Sequence, residues 1–324
     1  MEEPRIVERN NPEEVFTLLS DDTRVAILQA LWGTDRPIAF SELREAVGVR
    51  DSGQFNYHLG KLIGQFVRKS TEGYELTQAG KGINGVIETG SFTLKATFEP
   101  IELDGACSYC GGVRTLNFEN EVVNIECGSC EVMYRFVVPP AVFAGYDRES
   151  IPMVANRYLH ATFHHIQTGF CWFCKGQTRS TVKFEEAPSK AADRASLKRD
   201  EPGEFSLVEA EIAGGEASKK TDDGESAGDD SVIPVVLYEC ERCSHMATSG
   251  LWLATFDHPA VRSFYYEQDI DIRDRPVWEF PSFDSNHLNV LRSNPPRVSV
   301  TYTAGDETLT LVLDEGADIV EVKS

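Results

Sequence analysis

All eight cysteines of this 324-residue chain fall into pairs of the form Cys-x-x-Cys, and none is left over. The pairs are Cys107/Cys110, Cys127/Cys130, Cys171/Cys174 and Cys240/Cys243. A Cys-x-x-Cys turn supplies two thiolates, and a tetrahedral zinc ion binds four of them at about 2.3 Å. We expect the chain to be cytoplasmic, where this pattern favours metal binding over disulfide bonds.

The spacing of the pairs predicts two separate zinc sites. Sixteen residues lie between Cys110 and Cys127, which is typical of a zinc ribbon. Between Cys174 and Cys240 there are 65 residues, but 19 remain once an acidic, low-complexity stretch of 46 residues at 186–231 is set aside. Four thiolates fill the zinc shell and leave no place for an activated water, so the sites are expected to be structural. Iron in the same shell, redox switching and mixed pairing across the sites remain alternatives.

Three histidines form the only other candidate metal group. His160 and His164 lie four residues apart on a predicted helix, next to His165. Ala161 stands where a zinc protease would have glutamate, so that motif fails. A polar helix face is the simpler interpretation. The alternative is an effector pocket shared with Tyr158, Phe163 and Trp172.

The sequence offers no sign of an enzyme. It contains no Walker loop, no dinucleotide-binding glycine pattern and no Gly-x-Ser-x-Gly elbow. Neither an open metal site nor a nucleophile–base pair is recognisable, so we expect that the protein is not an enzyme.

Residues 1–90 show the pattern of a small helical domain with a hairpin. A cap at Ser41 is predicted for the third helix. An early helix, a short helix, a turn, a longer helix and a hairpin follow one another as in a winged helix-turn-helix. The predicted elements are helices Pro12–Leu19, Thr23–Trp32, Glu42–Val47 and Ser52–Gly64, strands Phe66–Lys69 and Gly73–Leu76, and a helix from Thr77.

The longer helix has a core face and a polar face, and the polar face could contact DNA. Residues 50–69 carry four basic side chains against Asp51 alone, whereas residues 1–90 carry a net charge of −4. This basic cluster lies where a winged helix meets DNA, although a solvated helix face is the alternative. His58 could instead cap the edge of the core. The candidate DNA contacts are Arg50, Ser52, Gln54, Asn56, Tyr57, His58, Lys61, Arg68 and Lys69.

Three segments carry a resemblance to a known family. Leu19–Leu28 resembles the opening helix of ArsR-type repressors, and Phe55–Leu62, followed by Phe66 and Val67, is similar to their recognition helix and wing entry. Gly73–Gly80 matches the wing return. The resemblance covers about the first 88 residues. It implies a dimeric regulator of transcription that binds double-stranded DNA. We expect an archaeal source, and specifically a haloarchaeal one.

The chain departs from the metal-sensing members of that family in one respect. Those members carry paired cysteines on the third helix, but Ser41–Val47 contains no thiol, and the first cysteine of the chain is Cys107. Metal sensing at that helix is therefore not expected.

From residue 91 onward the pattern becomes β-rich, so the fold class is predicted as α+β. Pro140-Ala141-Val142 and Pro259-Ala260-Val261 each follow a cysteine hairpin and a strand, which suggests duplicated modules. We predict four segments: the winged helix at 1–90, a first zinc-ribbon module with a helical segment at 91–185, the insertion at 186–231, and the completed second ribbon with a β-rich end at 232–324.

Within these segments the main predicted elements can be stated individually. The insertion is predicted to be disordered, with a short strand at Phe205–Val208 as an alternative. The other predictions are a strand at Phe92–Phe98, a helical stretch from Pro139 to Gly169 interrupted at Pro152, and a hairpin of Arg297–Tyr302 and Glu307–Leu313.

Two functions from different classes fit this organisation. The first is a sequence-specific, homodimeric transcription regulator of double-stranded DNA, whose structural zinc ribbons serve an effector or partner. The second is a zinc-ribbon adaptor that binds the transcription machinery through protein contacts. No apolar window approaches the length of a membrane span, so no membrane partner is expected.

The net charge of −21, with 20 arginines and only 11 lysines, suggests a halophilic protein, and an ordinary acidic cytosolic protein is the alternative. If the protein is halophilic, molar KCl should raise the midpoint of thermal unfolding steeply, because salt screens the repulsion among the acidic side chains. Circular dichroism melts over a KCl series measure this. A midpoint that does not change with salt would remove the halophilic interpretation.

Overall fold

The computed structural model describes residues 11–90, 93–108, 110–130, 133–186, 209–211, 232–280 and 287–324. It has a mixed α and β architecture with a β-rich C-terminal region. The chain divides into two compact units, with the boundary between Leu94 and Lys95. Unit 1 extends to Leu94, and unit 2 begins at Lys95.

The described part of unit 1 contains five helices and one antiparallel hairpin. Three of these helices begin after a side chain that accepts a free backbone N–H: Asp21 accepts from Arg24, Asp51 from Gln54 and Thr77 from Gly80. The elements are α1 (Pro12–Thr17), α2 (Asp22–Ala30), α3 (Phe40–Val47), α4 (Ser52–Leu62), β1 (Val67–Lys69), β2 (Tyr74–Leu76) and α5 (Gln78–Glu88).

The predicted cap at Ser41 is wrong, since α3 begins at Phe40 after Ala39, without a capping side chain. The reason is a contact that is distant in sequence. Ile38 exchanges both backbone hydrogen bonds with Tyr74 at 2.9 Å, so the chain enters the helix directly from the edge of the hairpin.

The core of unit 1 lies between α2, α3, α4 and the hairpin. Phe55, Leu59 and Leu62 of α4 are almost fully buried in it. Asn84 of α5 is also buried, and its amide donates to the carbonyl of Leu28 at 3.1 Å. This bond connects α5 to α2 and satisfies a polar group that would otherwise be costly to bury.

Unit 2 consists of three antiparallel sheets and three α-helices in the described residues. The sheet orders are β3-β4-β5-β6-β8, β10-β9-β7 and β11-β12-β13-β14. The elements are β3 (Phe98–Glu102), β4 (Arg114–Glu119), β5 (Val122–Cys127), β6 (Met133–Val137), α6 (Ile151–Gln167), β7 (Thr178–Glu186), β8 (Glu209–Glu211), β9 (Val232–Cys240), β10 (Met246–Gly250), α7 (Leu251–Thr255), α8 (Pro259–Tyr266), β11 (Leu288–Ser293), β12 (Pro296–Ala304), β13 (Glu307–Leu313) and β14 (Ile319–Lys323).

Two predicted boundaries are wrong. Of the strand predicted at Phe92–Phe98, Phe92 lies outside the described residues, and β3 begins only at Phe98, because the amide of Leu94 bonds to the carbonyl of Gly90 in a turn after α5. Pro152 does not interrupt a helix. It lies in the first turn of α6, where a missing N–H costs nothing. Upstream of α6, only Pro140–Phe143 forms a short 3₁₀ helix.

The hairpin predicted near the C-terminus is confirmed. β12 and β13 pair from Val298↔Leu313 to Ala304↔Glu307, which leaves Gly305 and Asp306 as the turn. Of the predicted insertion, Glu186 ends β7 and Glu209–Glu211 pairs with β6 as strand β8. The prediction of disorder for the remainder, and of a strand at Phe205–Val208, falls outside the described residues.

A buried asparagine pins the C-terminal part of unit 2 to α6. Asn156 is fully buried, and its Oδ1 accepts the backbone N–H of Val277 at 2.9 Å. Its Nδ2 donates to the carbonyl of Arg275 at 3.4 Å. One side chain therefore satisfies two backbone groups of a segment more than a hundred residues downstream.

Replacing Asn156 by alanine should destabilise unit 2 by about 1–3 kcal/mol, because the buried N–H of Val277 loses its acceptor. Urea unfolding followed by tryptophan fluorescence measures the change. Asn289→Ala, at an exposed position of β11, is the matched control and should stay within about 0.5 kcal/mol of the wild type. Equal effects of the two substitutions would contradict the role given to Asn156.

Candidate metal centres and the exposed face of the fourth helix

The first cysteine cluster brings together Cys107, Cys110, Cys127 and Cys130, whose sulfurs all lie within 4.8 Å of one another. Cys107 Sγ is 3.8 Å from Cys130 Sγ, and Cys110 Sγ is 3.4 Å from Cys127 Sγ. A tetrahedral ion with metal–sulfur bonds of about 2.3 Å needs sulfurs about 3.8 Å apart. A disulfide needs about 2.0 Å, so the geometry suits a metal ion and not disulfides.

The second cluster, Cys171, Cys174, Cys240 and Cys243, repeats this geometry. Cys171 Sγ is 3.8 Å from Cys243 Sγ, and Cys174 Sγ is 3.4 Å from Cys240 Sγ. Its four sulfurs also lie within 4.8 Å of one another. The predicted grouping of all eight cysteines into two sets of four is therefore what the structure shows, and pairing across the two sets does not occur.

Both clusters are built on the same backbone scaffold. In the first, Arg114 pairs with Cys127 across β4 and β5, and the N–H of Gly128 donates to the carbonyl of Val113 at 2.9 Å. In the second, Thr178 pairs with Cys240, and the N–H of Glu241 donates to the carbonyl of Gln177 at 3.0 Å. In both modules the donor follows the third cysteine by one residue, and the acceptor follows the second cysteine by three residues. The two modules therefore have the same backbone structure at the end of the sheet that carries the cysteines, called the metal end below.

Three of the cysteine turns share one position with left-handed backbone. Gly111, Lys175 and Ser244 each come four residues after the first cysteine of a turn, with φ of 74°, 58° and 54°. The N–H of each donates to the carbonyl of that first cysteine at 2.9–3.0 Å. Left-handed backbone at a lysine and a serine is uncommon, and it persists because the turn must present both sulfurs to one point.

The thiols of each cluster differ in acidity. Burial raises the pKa of Cys127, but the backbone N–H of Ser129 and neighbouring thiols outweigh it, and the pKa falls to about 7. For Cys240, the N–H groups of Cys243 and Arg242 likewise outweigh burial and lower the pKa to about 6. The N–H of His245 lowers the pKa of Cys243, yet burial and adjacent thiols raise it to about 12. Metal binding must therefore displace protons.

A glycine stands at the same place beside each cluster. A Cβ on Gly112 would lie 2.7 Å from the Cβ of Ser129 and 3.1 Å from Cys127 Sγ. A Cβ on Gly176 would lie 2.8 Å from the Cβ of Arg242 and 3.2 Å from Cys240 Sγ. Each glycine follows the second cysteine of its first pair by two residues. Alignment of the two cysteine motifs with each other would have found this signal in the sequence.

A buried arginine beside the first cluster had no signal in the sequence. Arg114 is 2 % exposed, and its guanidinium donates to the carbonyl of Trp278. The hydroxyl of Ser108 donates to the carbonyl of Phe280 at 3.3 Å. The segment around Trp278 therefore packs on the first cysteine turn.

The three histidines on α6 do not join either cysteine cluster. His160 Nδ1 lies 3.5 Å from the carboxylate of Asp257, which Arg262 also contacts at 2.8 Å. Burial raises the pKa of this carboxyl, but His160 and Arg262 outweigh it and lower the pKa to about 2. His164 is exposed, and burial lowers the pKa of His165.

The residues of the alternative effector pocket belong to one hydrophobic core. Phe163 is 1 % exposed within it, and Tyr158 and Trp172 are partly buried against it. Trp172 also contacts the ring of His245, with the centroids 4.3 Å apart.

Three of the predicted DNA-contacting residues form one exposed stripe on α4. Gln54, Tyr57 and Lys61 follow helical spacing, and the Nζ of Lys61 lies 5.5 Å from the centre of the Tyr57 ring. Tyr57 is 62 % exposed. Ser52 and Asn56 are exposed but lie on the other flank of the helix, as its periodicity requires.

The remaining predicted contacts differ from one another. Arg50 is exposed in the turn before α4. His58 does not belong to the exposed stripe, because its side chain is 12 % exposed and its Nδ1 lies 3.1 Å from Asp21. The structure thus favours the alternative in which His58 packs at the edge of the core.

The hairpin holds the last two predicted contacts. Arg68 is paired with Glu75 at 3.0 Å, because β1 and β2 place the two side chains opposite each other. Lys69 Nζ lies 5.7 Å from the ring of Tyr74. The local charge of +3 expected for residues 50–69 is therefore reduced, since the fold brings an acid from outside that range to Arg68.

The shared glycine gives a test of the metal centres. Wild-type protein should bind two zinc ions per chain, and Gly112→Ala should lower the affinity of the first site by about 10- to 100-fold, because the new Cβ displaces the Cys127 turn. Competition with a chromogenic zinc chelator measures both quantities.

Gly128→Ala is the matched control within the same turn. Its Cβ would meet only the carbonyl oxygen of Val113 at 3.6 Å, an ordinary contact. This variant should retain two ions at wild-type affinity. If Gly112→Ala binds zinc as tightly as Gly128→Ala, the proposed packing at the metal end is incorrect.

Among the described residues, no helix is long and apolar enough to cross a membrane.

Family models match both units of the chain. A domain of unknown function, DUF7347, matches residues 12–87, and a second domain of unknown function, DUF7351, matches residues 104–206 and 208–319. Comparisons with curated proteins and with solved structures give no significant match. Because the DUF7351 model matches more than half of the sequence, the chain belongs to the family that this domain of unknown function defines.

Proposed function

We propose that the protein is a sequence-specific transcription regulator that binds double-stranded DNA as a homodimer. Unit 1 would be a winged helix-turn-helix in which α4 reads the major groove and the β1–β2 hairpin is the wing. The observation that carries this proposal is the exposed stripe of Gln54, Tyr57 and Lys61 on a helix whose opposite face is firmly held in the core.

The connection between α3 and α4 supports this assignment. Gly48 ends α3 in the left-handed conformation, with its N–H bonded to the carbonyls of Arg44 and Glu45. Only four residues separate the two helices, and Asp51 caps the second at 2.6 Å. A short turn with a glycine, followed by a capped helix with a polar outer face, is typical of a helix-turn-helix.

The side chains of the stripe suit both kinds of DNA contact. A glutamine amide can donate and accept in the plane of an adenine edge, whereas Lys61 and Arg50 offer charges to phosphates. Few cations are available, because Arg68 is paired with Glu75 and the chain as a whole carries −21. Base contacts and shape fit would therefore supply a large part of the affinity.

Exposed apolar side chains in unit 1 support the homodimer. Phe16 of α1 is 67 % exposed and Val86 of α5 is 47 % exposed. Burial of such side chains between two copies is favourable, at about 25 cal/mol per Å² of apolar surface. A two-fold dimer would also present two copies of α4 to a palindromic site.

The two cysteine clusters would bind zinc and act as structural ribbons in unit 2. Four thiolates complete a tetrahedral zinc shell, so neither site keeps an open position for a reacting water. Each cluster joins two strands at one end of a sheet, and zinc would hold those ends together. This unit would then serve an effector or a partner of the regulator.

The decisive experiment compares two double variants. Gln54→Ala with Lys61→Ala should weaken operator binding at least about tenfold, since a bidentate base contact alone is worth about 1–3 kcal/mol. Genome-wide crosslinking of the tagged protein identifies the operator, and footprinting on it measures the loss.

Gln29→Ala with Lys81→Ala is the matched control, because both residues are exposed on other helices of unit 1. It should bind as the wild type does. If the wild type yields no footprint but retrieves components of the transcription machinery, the adaptor function would replace the proposed one.

A further inference from the structure

The two cysteine modules share a scaffold but differ in the chemistry of their turns. In both, an aromatic residue stands two positions after the first cysteine, Tyr109 in the first module and Phe173 in the second. The other turn positions differ. Ser108, Gly111, Gly128 and Ser129 of the first module correspond to Trp172, Lys175, Glu241 and Arg242 of the second. The second module therefore adds a further aromatic ring and three charged side chains around the shared aromatic position.

The aromatic side chains of the second module form a platform at the surface. The ring centre of Phe173 is 5.2 Å from that of Trp172 and 4.4 Å from that of His245. Phe173 nevertheless remains 59 % exposed. Phe170, at the base of the same turn, is 51 % exposed. The rings are thus supported from behind while much of their apolar surface faces solvent.

Two cations are fixed beside this platform by the turn itself. Lys175 Nζ donates to the carbonyl of Trp172 at 2.8 Å, and an Nη of Arg242 donates to the carbonyl of Cys174 at 3.1 Å. Each group has further N–H donors than the one that this contact uses. The adjacent acid, Glu241, is paired with Arg179 at 2.7 Å, which offsets its charge.

We propose that this platform, made of Phe170, Trp172, Phe173, Lys175, Arg242 and His245, is a binding site for single-stranded nucleic acid. An unpaired base stacks on the exposed face of Phe173, and Lys175 and Arg242 contact the flanking phosphates. Exposed rings next to fixed cations, on a chain with a net charge of −21, favour a polyanion with flat aromatic groups over an acidic or apolar peptide. The site lies in unit 2 and does not depend on DNA recognition by α4.

Fluorescence anisotropy with a labelled twelve-nucleotide oligothymidine tests the proposal on the full-length, zinc-loaded protein at low salt. Phe173→Ala should weaken binding by about five- to hundredfold, which is the range for loss of one stacked base. Lys175→Asn with Arg242→Ser should weaken binding and make it less sensitive to salt. Asparagine is chosen at position 175 because it tolerates the left-handed backbone there.

Three controls separate stacking from general damage. Tyr266→Ala removes another exposed aromatic of unit 2, one that is 73 % exposed on α8, and should bind as the wild type does. Phe173→Trp keeps a flat ring and should retain the affinity. The double variant Gln54→Ala/Lys61→Ala should also bind this oligonucleotide normally. Every variant is first checked for two bound zinc ions.

Several results would overturn the proposal. The first is that the wild type does not bind the oligonucleotide. The second is that Phe173→Ala and Tyr266→Ala bind it equally well. The third is that Gln54→Ala/Lys61→Ala loses affinity for it while Phe173→Ala does not. A protein that crosslinks to the wild type but not to Phe173→Ala, without oligonucleotide binding, would assign the platform to a protein partner. The proposed function of unit 1 is tested separately, by the footprint on operator DNA.

Discussion

The convergence of four sulfurs on one point is the constraint on which unit 2 depends. In the second cluster, 65 residues lie between Cys174 and Cys240, yet their sulfurs lie 3.4 Å from each other. That closeness requires β7 and β9 to pair in one register over nine residues, from Thr178↔Cys240 to Glu186↔Val232. A shift by one residue would turn one cysteine to the opposite face of the sheet. The cysteine cluster and the hydrophobic core therefore specify the same alignment.

Unit 1 depends on a different constraint, the separation of apolar and polar side chains onto opposite faces of α4. The buried face of α4 is apolar, and its exposed stripe is polar. Asp21 and Glu75 each approach a predicted DNA contact, His58 and Arg68 respectively. Burial of His58 and the pairing of Arg68 with Glu75 thus reduce the number of cationic side chains that could contact the phosphates of DNA. This limit is consistent with an acidic chain that would recognise DNA more by fit than by charge.

Local patterns carried most of what could be predicted from the sequence. Cysteine spacing predicted two sets of four ligands, because a Cys-x-x-Cys turn is itself a local structure. Helical spacing predicted which side of α4 would be buried. The errors arose where a distant partner decides the outcome. Ile38 bonds to Tyr74, and this contact sets the start of α3. Arg114 is buried and donates to the carbonyl of Trp278, although no pattern in the sequence of β4 predicts it. Such partners become neighbours only through the fold.

The pairing of Glu186 with Val232 has a consequence for the long acidic connection between β7 and β9. The residues at the two ends of this connection are neighbours, because Glu186 and Val232 form the β7–β9 pair farthest from the cysteines. The entropic cost of closing such a loop grows only with the logarithm of its length, by about 0.6 kcal/mol for each doubling. Related chains could therefore lengthen or shorten this connection on either side of β8 with little thermodynamic effect on the pairing of β7 and β9. The same position would accept an inserted reporter domain, since the sheet already joins the two ends of the break.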